Sequence, residues 1–363
     1  MTTEMTTESV PAPRYRGPHL VPAPATGLLI SALAAAWLLA SLLAISLGSV
    51  HLPLSSVWEV VGAHLTGRAE TADPLHDQVV WDIRTPRVLL AALVGAGLSV
   101  AGVVFQALVR NPLADPYVLG VSSGASLGAV LVTAAGTAAL GGLGGLGVTG
   151  AAFTTALLTV LVVYLLAQRG GRLLDSWLLL VGVAVGYLCA AATTYAQLQL
   201  DPSELQGVMF WLMGSVAGAT WQQLGVPAAV IAVCLAYLMV QARALNALLA
   251  GEDTAAGLGV PVHAQRIALL VIGSLLTATM VSVAGGIGFV GLMVPHMARL
   301  IVGPDHRRLL PVAMLSGAVF LVLVDLAART AHRPEELPVG VFTTGLGVPF
   351  FLWLLRRRSA RRT

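Results

Sequence analysis

Ionisable side chains are sparse enough in this 363-residue chain to be weighed almost singly: 17 acids, 20 basic residues and eight histidines. Every basic residue is an arginine; there is no lysine. A Walker-type phosphate loop needs a lysine against the phosphates, and Schiff-base chemistry needs one as nucleophile. Any ATP the protein depends on is therefore expected to be hydrolysed by another chain. His51, His64 and His76 share one hydrophilic stretch, but separations of 13 and 12 residues specify no metal site. His296 stands alone after Pro295, and Cys189 and Cys234 lie inside apolar runs, where a thiol packs as a small hydrophobe. No catalytic residue, no metal site and no cofactor of its own are expected for this chain.

A few charged positions carry more information. Asp325 interrupts an apolar stretch four residues before Arg329, the spacing of an intrahelical pair, which is expected here rather than a proton relay. Arg84 and Arg87 are three apart just ahead of another apolar run. Asp175 and Ser176 open a third, where either side chain would serve as a helix N-cap. Between Arg110 and Pro116 two prolines forbid a continuous helix. In segment 243–263, helix-favouring residues lead to Gly251, which permits a turn, and Glu252 and Asp253 then supply the charge that suits a second helix start.

The elements that must position these residues follow from composition. The chain is 57% hydrophobic and 10% charged, with a mean hydropathy of +0.85. A soluble domain is about 25% charged. A soluble enzyme, a nucleic-acid binder and a secreted disulfide scaffold are all excluded on this count. Apolar runs fall at about 27–47, 88–108, 117–136, 147–167, 177–198, 225–241, 267–284, 286–302, 309–328 and 338–355. They are continuous rather than alternating, as membrane helices of roughly 20 residues are. The predicted fold is an all-α polytopic membrane protein of about ten transmembrane helices. Residues 1–26 read as a disordered cytoplasmic tail, 27–356 as the membrane domain and 357–363 as a basic cytoplasmic tail. With the N-terminus inside, 15 arginines fall on the inner side and five (Arg68, Arg84, Arg87, Arg329, Arg333) on the outer. That satisfies the positive-inside rule and places both termini in the cytoplasm. Trp58, Trp81, Trp177, Trp221 and Trp353 fall near span ends, as in an aromatic belt. Ser99-Val100-Ala101-Gly102 recurs as Ser282-Val283-Ala284-Gly285, and Pro112 as Pro295, both at offset 183, which suggests duplicated halves.

Several words in order carry a family resemblance: Arg84-Thr85-Pro86-Arg87, Asn111-Pro112-Leu113-Ala114-Asp115-Pro116, Leu119 to Ala125, Trp211-Leu212-Met213-Gly214-Ser215, Gly251 to Val260, Gly288 to His296, Glu336-Leu337-Pro338-Val339-Gly340 and Gly347 to Phe351. Over about 80–356 the chain resembles the FecCD family, the permease subunits of importers for ferric siderophores, haem and vitamin B12. The resemblance implies a type II importer architecture in the cytoplasmic (plasma or inner) membrane. It also implies a dimer with a second or related permease, two cytoplasmic ATPase subunits that bind ATP and Mg, and an external substrate-binding protein. By the same resemblance Arg84, Arg87 and Arg329 would receive carboxylates of the binding protein. Gly251, Glu252, Asp253, Leu258 and Gly259 would meet the ATPase, and Asp175 and Ser176 would lie at a cytoplasmic gate.

Ferric siderophore is the expected cargo, with Trp211 to Ser215 closer to the siderophore-type form of that word; haem and cobalamin are the alternatives. An ion-coupled secondary transporter would need several buried carriers, and the spans offer Asp325 and little else.

Overall fold

The computed structural model describes residues 20–48, 52–67, 73–139, 147–169, 172–332 and 335–359. Residues 1–19 of the N-terminal tail, His51, Arg68, Arg333 and residues 360–363 lie outside them. The helices are α1 (Thr26–Ser46), α2 (Leu54–Leu65), α3 (Pro74–Asp77), α4 (Thr85–Leu108), α5 (Val121–Ala139), α6 (Gly147–Ala167), α7 (Asp175–Gln197), α8 (Pro202–Leu212), α9 (Gly225–Val240), α10 (Ala242–Leu249), α11 (Glu252–Gly257), α12 (Val262–Ala284), α13 (Val290–Val302), α14 (His306–Thr330) and α15 (Val339–Ser359). The one sheet among the described residues is a two-residue hairpin, β1 (Gln168–Arg169) against β2 (Arg172–Leu173).

Each of the ten apolar runs contains a helix. Among the described residues seven helices are long and apolar enough to cross a membrane, and α5, α13 and α15 supply shorter apolar stretches. The tails differ from the sequence reading at their inner edges. Val21 donates its N–H to the Ile301 carbonyl (3.0 Å) and Ala23–Ala25 form a 3-10 turn, so the end of segment 1–26 is packed on the bundle. At the other end α15 runs on through Arg358 to Ser359.

The centre of the bundle is α4, which α12, α13 and α14 surround. Small residues make this crowding feasible, because backbones approach most closely where a side chain is absent. A Cβ on Gly102 would overlap the Gly291 carbonyl oxygen, and one on Gly95 the Gly317 carbonyl oxygen. Gly97 faces Met280 and Gly273 faces Phe105, so α4 and α12, which carry the repeated Ser-Val-Ala-Gly words, run antiparallel. That relation suits inverted halves.

Two breaks inside the bundle meet. After α12 the chain unwinds over 285–289, with Gly285 at φ +69° and Phe289 at φ +67°. The Tyr117 hydroxyl donates to the Ile287 carbonyl (2.9 Å) and accepts from the Ile287 N–H (3.0 Å). One side chain thus satisfies both backbone groups of a residue that no helix serves.

Candidate functional site

At one end of the bundle, Gln78–Arg84 forms a π-helical stretch leading into α4. Pro86 explains it. Proline has no N–H and its ring crowds the carbonyl four residues back, so the helix widens. Thr85 instead gives both its N–H and its hydroxyl (2.7 Å) to the Val80 carbonyl. The widened turn directs Arg84 and Arg87 inward, where a reading of charge alone had placed them at the surface. Arg84, Arg87 and Arg329 are all buried.

Arg84 donates to the carbonyls of Ile45 (2.9 Å) and Ser46 (3.1 Å) at the end of α1. It lies so close to Gly48 that a Cβ there would sit 2.7 Å from its guanidinium. Arg87 donates Nε and one terminal nitrogen to Asp325 (3.0 and 2.9 Å) and the other to Glu336 (2.7 Å). Arg329 pairs with Asp325 at 3.5 Å, the expected i,i+4 contact, and donates to the Ala44 carbonyl. Asp325 is fully buried, whereas the Glu336 side chain is 35% exposed. The three arginines are therefore not free surface charges awaiting a partner; they knit α1, α4 and α14 together, and the accessible group is Glu336. Glu336 falls in one of the family words, with no role legible from the sequence around it. Nothing local could have assigned one, since Arg87 is 249 residues away.

Segment 243–263 lies at the opposite end. The Asn246 amide of α10 donates to Asp305 (2.7 Å), and its oxygen accepts from the His306 N–H (2.9 Å), tying α10 to the start of α14. Burial pushes the Asp305 carboxyl up, but the Asn246 amide, the Arg307 N–H and the charges of Arg308 and Arg307 hold it below the ordinary carboxylate range. Gly251 then turns the chain at φ +110°, ψ 156°, a conformation side-chain-bearing residues rarely adopt. At the C-cap of α11, Leu258 is 69% exposed, and neither Gly251 nor Gly259 has anything within 4 Å of where a Cβ would be. Glu252 departs from its companions. Its Oε1 accepts from Arg266 (2.8 Å) and forms an ion pair with Arg110 (3.3 Å), so it points to the bundle rather than to a partner.

Asp175 and Ser176 begin α7, but the residue in the N-cap position is Leu174, without a capping side chain. Ser176 is exposed. His64 stacks flat on Trp81 (centroids 3.9 Å apart) and meets Asp77 at 2.6 Å, while Trp221 donates its indole N–H to the Trp81 carbonyl (3.0 Å). Trp81 and Trp221 are thus packed on each other; Trp58, Trp177 and Trp353 remain outward, as a belt requires. Among the described residues no three His, Cys, Asp or Glu side chains gather in a metal-binding group.

A cavity of about 510 Å3 opens between α5, α6, α8 and the end of α12. Phe210 and Trp211 supply its aromatic surface; Thr133, Thr149, Ser215, Gln223 and Ser282 line it with neutral hydrogen-bonding groups. Among the described residues, its one charged lining residue is Glu204.

Residues 36–357 match the FecCD transport family. The chain is 46% identical over 285 residues to the cobalamin import system permease protein BtuC of Halobacterium salinarum, covering 78% of this chain and 74% of that protein. It is 42% identical over 322 residues to an uncharacterized ABC transporter permease protein, YvrB, of Bacillus subtilis, covering 87% and 90%. With the vitamin B12 import system permease protein BtuC of Salmonella typhimurium it shares 41% over 326 residues, covering 90% and 96%. Among solved structures, an inward-facing metal-chelate-type ABC transporter superposes with a TM-score of 0.76 at 29% identity, covering 91% of this chain and 99% of that one.

Proposed function

The chain belongs to the FecCD transport family, and we propose that it is the permease through which an ATP-driven importer brings a corrinoid of the vitamin B12 type across the cytoplasmic membrane. The cargo rests on the 41% identity, over 90% of the chain, to a vitamin B12 import permease. The chemistry of the cavity lining agrees with it, although about 510 Å3 in one chain is too small to enclose a whole corrinoid and meets only part of its edge. A corrinoid is large, close to neutral and edged with amides, and it suits a lining of hydroxyls, one amide and two aromatic rings. A ferric catecholate carries net negative charge, and among the described residues Glu204 is the only charge it would meet there. The word Trp211 to Ser215, which had favoured a siderophore, has a packing explanation. Gly214 sits at φ +76° with its missing Cβ 2.6 Å from the Gly286 carbonyl oxygen, and a Cβ on Gly340 would overlap the Met213 carbonyl oxygen. Residues fixed by such crowding report on the fold, not on the cargo.

In this reading the arginine-rich end is cytoplasmic, with both termini there. Two ATPase subunits, which hold ATP and Mg, meet the permease on Gly251, Asp253, Leu258 and Gly259. Asp175 and Ser176 start the helix nearest the inner gate, a second permease copy completes the passage, and an external binding protein docks at the opposite end. Glu336 occupies Arg87 in the free chain, and an incoming carboxylate competes with it. Uptake of labelled cobalamin, ferric siderophore and haem, compared in a deletion strain and its complement, tests the cargo. Loss and recovery of cobalamin uptake alone is the expected result. Loss of siderophore or haem uptake with cobalamin untouched would refute it.

A further inference from the structure

The segment 243–263 divides mechanically at Gly251. Upstream, α10 buries Ala242, Leu245 and Leu248 and is bolted to α14 through Asn246, Asp305 and His306. Downstream, α11 buries only Ala255. Polar anchorage of α11 to the bundle comes from its first residue, Glu252. A single oxygen, Oε1, accepts from Arg266 at the base of α12 and pairs with the charge of Arg110 just beyond α4. Arg266 is buried, and Arg110 holds a left-handed backbone (φ +52°) that non-glycine residues adopt at a cost. A strained residue that reaches the same carboxylate as a buried one indicates a defined geometry rather than a casual surface pair.

Beside this clamp lies a cavity of about 410 Å3. Glu252, Asp253 and Ala256 of α11 form one side and Arg110, His263 and Arg266 another; Leu173 and Leu174, which lead directly into α7, also line it. The helix that leads to the exposed Leu258 thus stands over open space, and the approach to α7 lines that space.

We propose that Glu252 is a positioning residue: the Arg110–Glu252–Arg266 clamp holds α11 above this cavity, so that pressure on α11 is delivered to α4, α12 and the start of α7. This rests on the reading of 243–263 as the surface that meets the ATPase. In that reading Glu252 does not touch the ATPase; it converts displacement of the exposed part of α11 into displacement of membrane helices. A rigid helix pinned at one end and free to move into a void transmits motion as a body.

The test uses the complete complex of permease, ATPase subunits and binding protein in liposomes, with cobalamin as the transported probe. The variants are Glu252→Gln, which keeps the shape and removes the charge, and the reversed pair Glu252→Arg with Arg266→Glu. Molecules transported per ATP hydrolysed should fall about tenfold in Glu252→Gln, the scale of one lost charge-assisted hydrogen bond, and the reversed pair should recover part of it. A parallel loss of ATPase and uptake, leaving the ratio unchanged, would make Glu252 merely structural and overturn the proposal. So would an unchanged ratio in Glu252→Gln while Gly259→Trp, on the exposed side, abolishes coupling. If Gly259→Trp and Leu258→Arg also leave the ratio unchanged, the reading of 243–263 itself fails and the clamp's proposed role falls with it.

Discussion

Replacing Asp325 by Asn should destabilise the protein far more than the same isosteric change at Glu336, although both acids contact Arg87. Asp325 accepts from Arg87 Nε and a terminal nitrogen at 3.0 and 2.9 Å and lies 3.5 Å from Arg329, with no exposed side-chain surface of its own. The amide keeps the volume but removes the charge facing two buried guanidinium groups. Breaking a buried pair from one side costs about 3–5 kcal/mol, because the remaining charge is left without compensation. With tenfold per 1.4 kcal/mol, that is roughly a 140- to 4,000-fold change in the unfolding equilibrium. Glu336 is 35% exposed, so water screens its loss and about 0–1 kcal/mol is expected. Denaturant titration of the purified permease in detergent micelles, followed by tryptophan fluorescence, compares wild type, Asp325→Asn and Glu336→Gln. The midpoint should fall clearly for Asp325→Asn and barely for Glu336→Gln. Equal shifts, or a stable Asp325→Asn protein, would refute the view that this cluster locks α1, α4 and α14.

Tyr117→Phe should lower the unfolding free energy by about 1–3 kcal/mol, since the Ile287 N–H and C=O both lose their partner; an unshifted midpoint would show that the break at 285–289 needs no clamp. Gly285→Ala should abolish recovery of monodisperse protein, because its Cβ would overlap the Trp211 carbonyl oxygen, whereas Gly259→Ala, also left-handed but open to solvent, should cost only about 1–2 kcal/mol and still purify. Asp305 is held below its ordinary pKa, so its stabilising contribution is present above the unfolded value near pH 4 and is lost as pH falls through the lower folded value. Asn246→Ala should therefore shrink the acid-side loss of stability in a pH-stepped melt. Glu336→Ala should speed binding-protein association at low salt by unmasking Arg87; an unchanged on-rate by surface plasmon resonance would leave the arginine cluster a purely structural lock.

The spans were legible because a bilayer imposes a constraint that each helix meets within its own sequence: about 20 apolar residues, with charges kept to the ends. The Asp325–Arg329 pair was legible for the same local reason. What sequence reading could not supply was the fate of charges beside an apolar run. Arg84 and Arg87 precede one, and proximity to the rim suggested exposure. Their burial depends on Pro86 widening the helix, on Gly48 making room for a guanidinium, and on Asp325, 238 residues away from Arg87. None of these signals means anything until α1, α4 and α14 are packed. Glu252 shows the converse. Its helix-starting position was read correctly, but a carboxylate at a helix start can face a partner as easily as its own bundle, and only Arg110 and Arg266 decide which. The two ends of the molecule then differ in kind. One is locked by buried ion pairs that cannot open without exposing uncompensated charge. The other holds a short helix on a half-exposed carboxylate above a void. Low-cost local movement belongs where few apolar contacts resist it, which places the compliant element of this permease at α11 and the rigid frame at the opposite end.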